Sequence, residues 1–207
     1  MIKILWCGGS HLANARHAIS LLFSNYQNTL YVTAGGANKD WSIQGGVYKC
    51  NGTLVGCNGR EPKRMVDLSS YDKVVFVGQY VQPSRYFNPR QLLSDAVISE
   101  ILNDENFLIR LPGDIYNQPL ELFSRLHANV TLIPDPWSSQ QHIDENNLDA
   151  FELALERFCD NRKIKLLRQP DSTLSKKYQT KSIYNRKEED NHHFNRKFWR
   201  SHLRLLM

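Results

Sequence analysis

Short apolar runs that stop at glycine or proline alternate with helical patterns along this chain, and that alternation limits the folds open to it. Ile2-Lys3-Ile4-Leu5-Trp6-Cys7 breaks at Gly8-Gly9, and Thr29-Leu30-Tyr31-Val32-Thr33-Ala34 breaks at Gly35-Gly36. Lys73-Val74-Val75-Phe76-Val77 ends at Gly78, Val130-Thr131-Leu132-Ile133 stops at Pro134, and Ile164-Lys165-Leu166-Leu167 is closed by Pro170. Between these strands the apolar spacing turns helical. His11 to Asn25 places Leu12, Ala15, Ile19, Leu22 and Phe23 on one side. Asn88-Pro89 reads as a helix start, with Pro89 at the first helical position of a helix running to about Leu102. Helices are also expected from about Gln118 to His127 and, most clearly, from Asn146 to Asn161, where Leu148, Phe151, Leu155 and Phe158 recur every three or four residues.

A near-continuous apolar strand suits a parallel sheet covered on both faces. Strands that alternate with helices imply right-handed crossovers. The expectation is a three-layer α/β/α fold with a five-stranded parallel, flavodoxin-like sheet, and one domain over 1–207. Residues 37–70 are less regular and read as an insertion between the second and third strands. Within it, Asn51-Gly52 predicts a hairpin turn over Val47–Cys57, with Cys50 and Cys57 facing each other. Phe107–Leu111 reads as a short strand or an extended loop, and 171–189 as a polar segment without periodicity. A basic, aromatic helix from about His193 to Leu206 ends the chain.

At 207 residues, 41% hydrophobic and 23% charged, the composition is that of an ordinary globular protein. The net charge of +5 is read as a solvated surface rather than a preference for anionic substrates or headgroups, because the basic residues are spread out except near the C-terminus. There Lys176-Lys177, Arg186-Lys187, Arg196-Lys197, Arg200 and Arg204 interleave with Phe194, Phe198 and Trp199. A closing helix that packs Phe198, Leu203 and Leu206 on the core accounts for that pattern better than nucleic acid does. The cysteines Cys7, Cys50, Cys57 and Cys159 have no metal spacing and no CxxC, so neither metal nor cofactor is expected. No run approaches the roughly 18 apolar residues of a membrane span, and the N-terminus lacks a cleavable signal pattern. The expected compartment is the cytoplasm, with thiols reduced.

In parallel α/β sheets the functional crevice lies at the carboxyl ends of the strands. Ser10, Gly35-Gly36, Gly78-Gln79, Pro134-Asp135 and Gln169-Pro170-Asp171 all fall there. Gly8-Gly9-Ser10 between strand and helix suits either a phosphate cradle or a nucleophile. The chain has neither the G-x-G-x-x-G nor the G-x-x-x-x-G-K-[ST] pattern, which leaves nucleotide binding as the weaker alternative. A serine nucleophile needs a base with an orienting acid. Asp190-Asn191-His192-His193 offers one, because three-residue spacing returns His193 to the side of Asp190; His192 is its neighbouring competitor.

The order of these blocks resembles the SGNH/GDSL hydrolases, over nearly the whole chain. Gly8-Gly9-Ser10 keeps the glycine and serine of Gly-Asp-Ser, with Gly9 in place of the aspartate. Gly35 or Gly36 stands for the second-block glycine, and Gly78-Gln79-Tyr80 puts tyrosine where that family has its oxyanion asparagine. Asp190-x-x-His193 matches outright and continues as His193-Phe194-Asn195. Gln169-Pro170 and Thr180-Lys181-Ser182-Ile183-Tyr184 further resemble a branch associated with bacterial surface polysaccharides.

The resemblance implies Ser10 as nucleophile, His193 as base and Asp190 as its partner. Amides of Ser10 and Gly35 or Gly36 would form the oxyanion hole, with Gln79 or Gln82, or alternatively Asn38 or a backbone amide, as the further donor. It implies an ester hydrolase or acetyl transferase acting on a small-molecule or carbohydrate ester. The alternative on the same scaffold is a weak or inactive carbohydrate-binding module. Trp41, Tyr80, Tyr86 and Phe87 are candidates for sugar stacking, although core packing is the commoner role of such rings.

Overall fold

The computed structural model describes residues 1–33, 42–44, 47–56, 59–78, 81–87, 92–110, 129–140, 142–188, 190 and 193–207. The strands are β1 (Lys3–Gly8), β2 (Gln27–Thr33), β3 (Ser42–Gln44), β4 (Val47–Gly56), β5 (Gly59–Asp67), β6 (Lys73–Val77), β7 (Val130–Ile133), β8 (Lys165–Leu166), β9 (Leu174–Lys176) and β10 (Gln179–Thr180). The helices are α1 (Ser10–Leu22), α2 (Asp95–Asn103), α3 (Phe107–Arg110), α4 (Glu145–Asn161) and α5 (Arg196–Leu203).

Five strands in the order β2-β1-β6-β7-β8 pair in parallel. Counting only these, the order is 2-1-3-4-5, which reverses direction between β1 and β6. In sheets of this order the functional crevice is expected outside the carboxyl ends of those two strands. Beyond β2 the sheet continues antiparallel, with β4 paired to β2, β3 and β5.

The unbroken apolar runs follow from burial on both faces. Leu5, Cys7, Val74, Phe76, Val130 and Leu132 join Leu148, Phe151, Leu155 and Phe158 of α4 in one core. Their sequence neighbours Ile4, Trp6, Val75, Val77 and Ile133 join Leu12, Ala15 and Ile19 of α1 and Phe198, Trp199 and Leu203 of α5 in the other. Period-two alternation thus supplies two cores from one strand. α1 and α5 cover one face together, while α2 and α3 pack on α4 over the other. Among the described residues no helix is long and apolar enough to cross a membrane.

Several local expectations change. Asn51-Gly52 is not a turn: it lies inside β4, where the pairing with β5 shifts register between Lys49 and Gly52. Sheet pairing on both sides overrides the dipeptide's turn tendency and leaves an irregularity of the bulge kind. The chain instead reverses between Gly56 and Gly59. Residues 88–91 lie outside the described residues, and 92–94 are not helical; α2 starts at Asp95, where the Ser94 side chain accepts a hydrogen bond from Val97 N. Phe107–Arg110 is a helical turn rather than a strand. The expected helix at Gln118–His127 lies outside the described residues. The last helix starts at Arg196, not His193, because Asn195 caps it by accepting from Lys197 N and Phe198 N.

The polar segment after β8 is tied down by hydrogen bonds. Gln169 accepts from Trp137 N at 2.9 Å and donates to Thr173 Oγ1 at 3.0 Å and Thr180 Oγ1 at 2.9 Å. Both threonines are buried, so each bond is shielded from water. β9 and β10 form a small antiparallel pair inside this segment.

Candidate active site

Ser10 is the first residue of α1, where β1 hands over to the helix. The handover is tight. A Cβ on Gly8 would stand 2.4 Å from Val77 O and 3.0 Å from Leu12 Cβ, so only glycine lets β1 approach β6 this closely. Ala13 N donates to Gly9 O at 3.1 Å, which closes the first helical turn around Ser10. The Ser10 hydroxyl is exposed at the sheet edge. Its backbone N–H belongs to the first turn, where the helix dipole favours negative charge.

His193 arrives from the far end of the chain on a short backbone ladder. Asn185 and Phe194 form an antiparallel bridge, Arg186 N donates to His193 O at 2.8 Å, and Asn195 N donates to Tyr184 O at 2.7 Å. These bonds fix the His193 backbone independently of its side chain. The imidazole Nε2 then lies 3.1 Å from Ser10 Oγ. On its other side Nδ1 lies 3.1 Å from both Asp190 carboxylate oxygens. Asp190 Oδ1 also accepts from His193 N at 2.9 Å, so the acid grips backbone and ring together. With Nδ1–H donated to Asp190, Nε2 is left with its lone pair toward Ser10. Asp190 and His193 stay partly exposed, at 26% and 36%, so the pair can be reached by a substrate.

Three of the expected site residues, Ser10, Asp190 and His193, are therefore brought together. Gly35, Gly36, Gln79 and Tyr80, together with Asn38, Trp41 and His192, lie outside the described residues. Tyr86 and Phe87 pack in the core against Phe107 and Phe151.

The sequence did not single out His11 and Asp135 as a pair. His11 Nε2 stands 3.2 Å from Asp135 Oδ1, with side chains 15% and 5% exposed, and the His11 ring centroid is 5.6 Å from that of His193. Trp199 flanks His11 at 6.0 Å. Gly78 sits against this pair with φ +82°, and a Cβ there would meet Asp135 Oδ1 at 2.4 Å and His11 Cδ2 at 3.1 Å. The available signal was positional: His11 follows the serine, and Asp135 follows a strand end.

Known protein-family profiles and curated protein sequences give no match to this chain. Solved structures do. A Bacteroides fragilis protein assigned as an acylhydrolase matches with a TM-score of 0.51 at 13% identity, covering 99% of this chain and 84% of that one. A lipase/acylhydrolase from Enterococcus faecalis matches with a TM-score of 0.51 at 12% identity, covering 100% and 91%. Identities this low speak for the fold alone. The chain has the α/β fold of these acylhydrolases, which is the fold the SGNH/GDSL resemblance implied.

Proposed function

We propose that the protein is a serine-dependent ester hydrolase, or an acetyl transferase, acting on a carbohydrate ester. The observation that carries this reading is the hydrogen-bonded series Ser10–His193–Asp190, assembled from residues 183 positions apart. His193 Nε2 takes the Ser10 proton as Oγ attacks the ester carbonyl, and Asp190 stabilises the imidazolium. The developing oxyanion is held by the Ser10 amide at the start of α1, and the family resemblance implies as further donors an amide of Gly35 or Gly36 and one of Gln79, Gln82, Asn38 or a backbone amide. His193 returns its proton to the departing alcohol, leaving Ser10 acylated. Water attacks the acyl-enzyme in a hydrolase; a sugar hydroxyl does so in a transferase.

The test compares wild type, Ser10→Ala and His193→Ala on p-nitrophenyl acetate. Each variant is expected to lose about 10³-fold or more in kcat. Equal hydrolysis by all three proteins would contradict a Ser10 nucleophile.

A further inference from the structure

Next to the Ser10–His193 pair lies a groove of about 620 Å³ whose described lining includes Asn14, Arg16, His17, Arg186, Arg196 and Lys197 and no carboxylate. That volume is in the range of small-ligand sites. One wall is the outer face of α1. Ser10, Asn14 and His17 follow one another at i, i+4 and i+7, so this face starts at the serine and runs about 10 Å along the helix. The inner face of α1 is committed to the core through Leu12, Ala15, Ala18 and Ile19. The other wall is the chain just after His193, from Phe194 to Lys197. The groove's two walls therefore continue the elements that carry Ser10 and His193, leading away from both.

Two contacts fix guanidinium groups along it. Arg186 Nη1 donates to Asn14 Oδ1 at 3.4 Å, bridging the walls, and Arg200, outside the lining, has Nη2 3.4 Å from Nε2 of His17, which does line it. The amphipathic character of α5 accounts for its buried Phe198, Trp199 and Leu203. It does not account for cations from positions 16, 186 and 196–197 meeting in one concavity. Planar guanidinium forks pair with carboxylate and phosphate by two parallel hydrogen bonds.

We propose that this groove binds the body of an anionic ester substrate, one carrying a carboxylate or phosphate about 6–10 Å from the carbonyl presented to Ser10, between the levels of Asn14 and His17 on α1. The proposal rests on the ester-hydrolase reading and names its substrate class. Acidic sugars and sugar phosphates share the required chemistry. The mild positive charge of the chain then has a local use, contrary to the solvated-surface reading of its composition.

The test measures kcat/KM for 3-O-acetyl-glucuronate, 3-O-acetyl-glucose 6-phosphate and neutral 3-O-acetyl-glucose, with wild type and an Arg16→Gln/Arg196→Gln double variant. Wild type is expected to prefer an anionic ester by about tenfold or more, equivalent to about 1.4 kcal/mol. That ratio should fall several-fold in the double variant, and also in roughly 1 M salt, where the Debye length is about 3 Å. The better of the two anionic esters identifies the anion. In parallel, calorimetry on Ser10→Ala measures binding of glucuronate and glucose 6-phosphate, expected to weaken when both arginines are replaced. Hydrolysis without anionic preference, or a preference the double variant keeps, overturns the groove and leaves the hydrolase reading standing. Arginine-dependent binding with no ester hydrolysed supports the groove and overturns the hydrolase reading. Neither hydrolysis nor binding overturns both.

Discussion

Gly78 meets two constraints at once. Its φ of +82° is a left-handed conformation that favours glycine, and the space its Cβ would need is taken by Asp135 Oδ1 and the His11 ring. Gly78→Ala should therefore cost about 1–3 kcal/mol in backbone strain and also displace the His11–Asp135 pair next to His193. Denaturant unfolding checks the first part: a midpoint unchanged from wild type would contradict it. Cys159 makes a different point. Burial pushes its thiol up to about 12, so it behaves as a core residue, as does buried Cys7. Neither should react with a thiol reagent until the protein unfolds.

The elements around the site do the positioning. Asn195 caps α5 through Lys197 N and Phe198 N, and its side chain also donates to Ile183 O at 3.0 Å on the bridge that holds His193. Asn195→Ala should lower stability by about 1 kcal/mol. It should lower kcat more than that loss alone explains, because the Asn195 side chain also braces residues 183–185 opposite His193; comparing ester hydrolysis with thermal unfolding separates the two effects. An equal kcat in a destabilised protein would make Asn195 a cap only.

Much of this scale was legible. Strand ends at Gly8, Gly78 and Pro134 gave the sheet edge, and the local spacing Asp190-x-x-His193 gave the contact between carboxylate and imidazole. Asn51-Gly52 misled because pairing on both sides of β4 outweighs a two-residue turn preference. Phe107–Arg110 misled because a segment of four residues is too short to show a period. Residues 171–184 gave no periodicity because side-chain hydrogen bonds centred on Gln169 hold them, and such bonds leave no hydrophobic pattern. The basic groove was hidden by distance, since its cations lie at positions 16, 186 and 196–197.

At the scale of the whole molecule, the C-terminal helix is joined to the sheet edge through His202. Its ring is fully buried, stacked on Trp199, with Nε2 3.4 Å from Leu167 O just past β8. Burial holds it neutral and lowers its pKa from the usual 6.5 to about 4. Above about pH 6.5 both folded and unfolded chains carry it neutral, and the contribution to stability is complete. As pH falls from there toward 4, the unfolded chain takes up a proton that the folded one refuses, so stability declines, by up to roughly 3 kcal/mol. Unfolding free energies of wild type and His202→Gln measured between about pH 7 and pH 4 should converge as pH drops. Parallel curves would contradict this.

The central claim is that Ser10, activated by His193, is the residue that becomes acylated. A fluorophosphonate probe tests it directly: serine Oγ bonds to phosphorus, fluoride leaves, and His193 takes the serine proton. Intact-mass and peptide mass spectrometry should find one adduct per chain, located on Ser10, lost in Ser10→Ala and strongly slowed in His193→Ala. An adduct that persists in Ser10→Ala, or one that forms at the same rate without His193, would contradict the account.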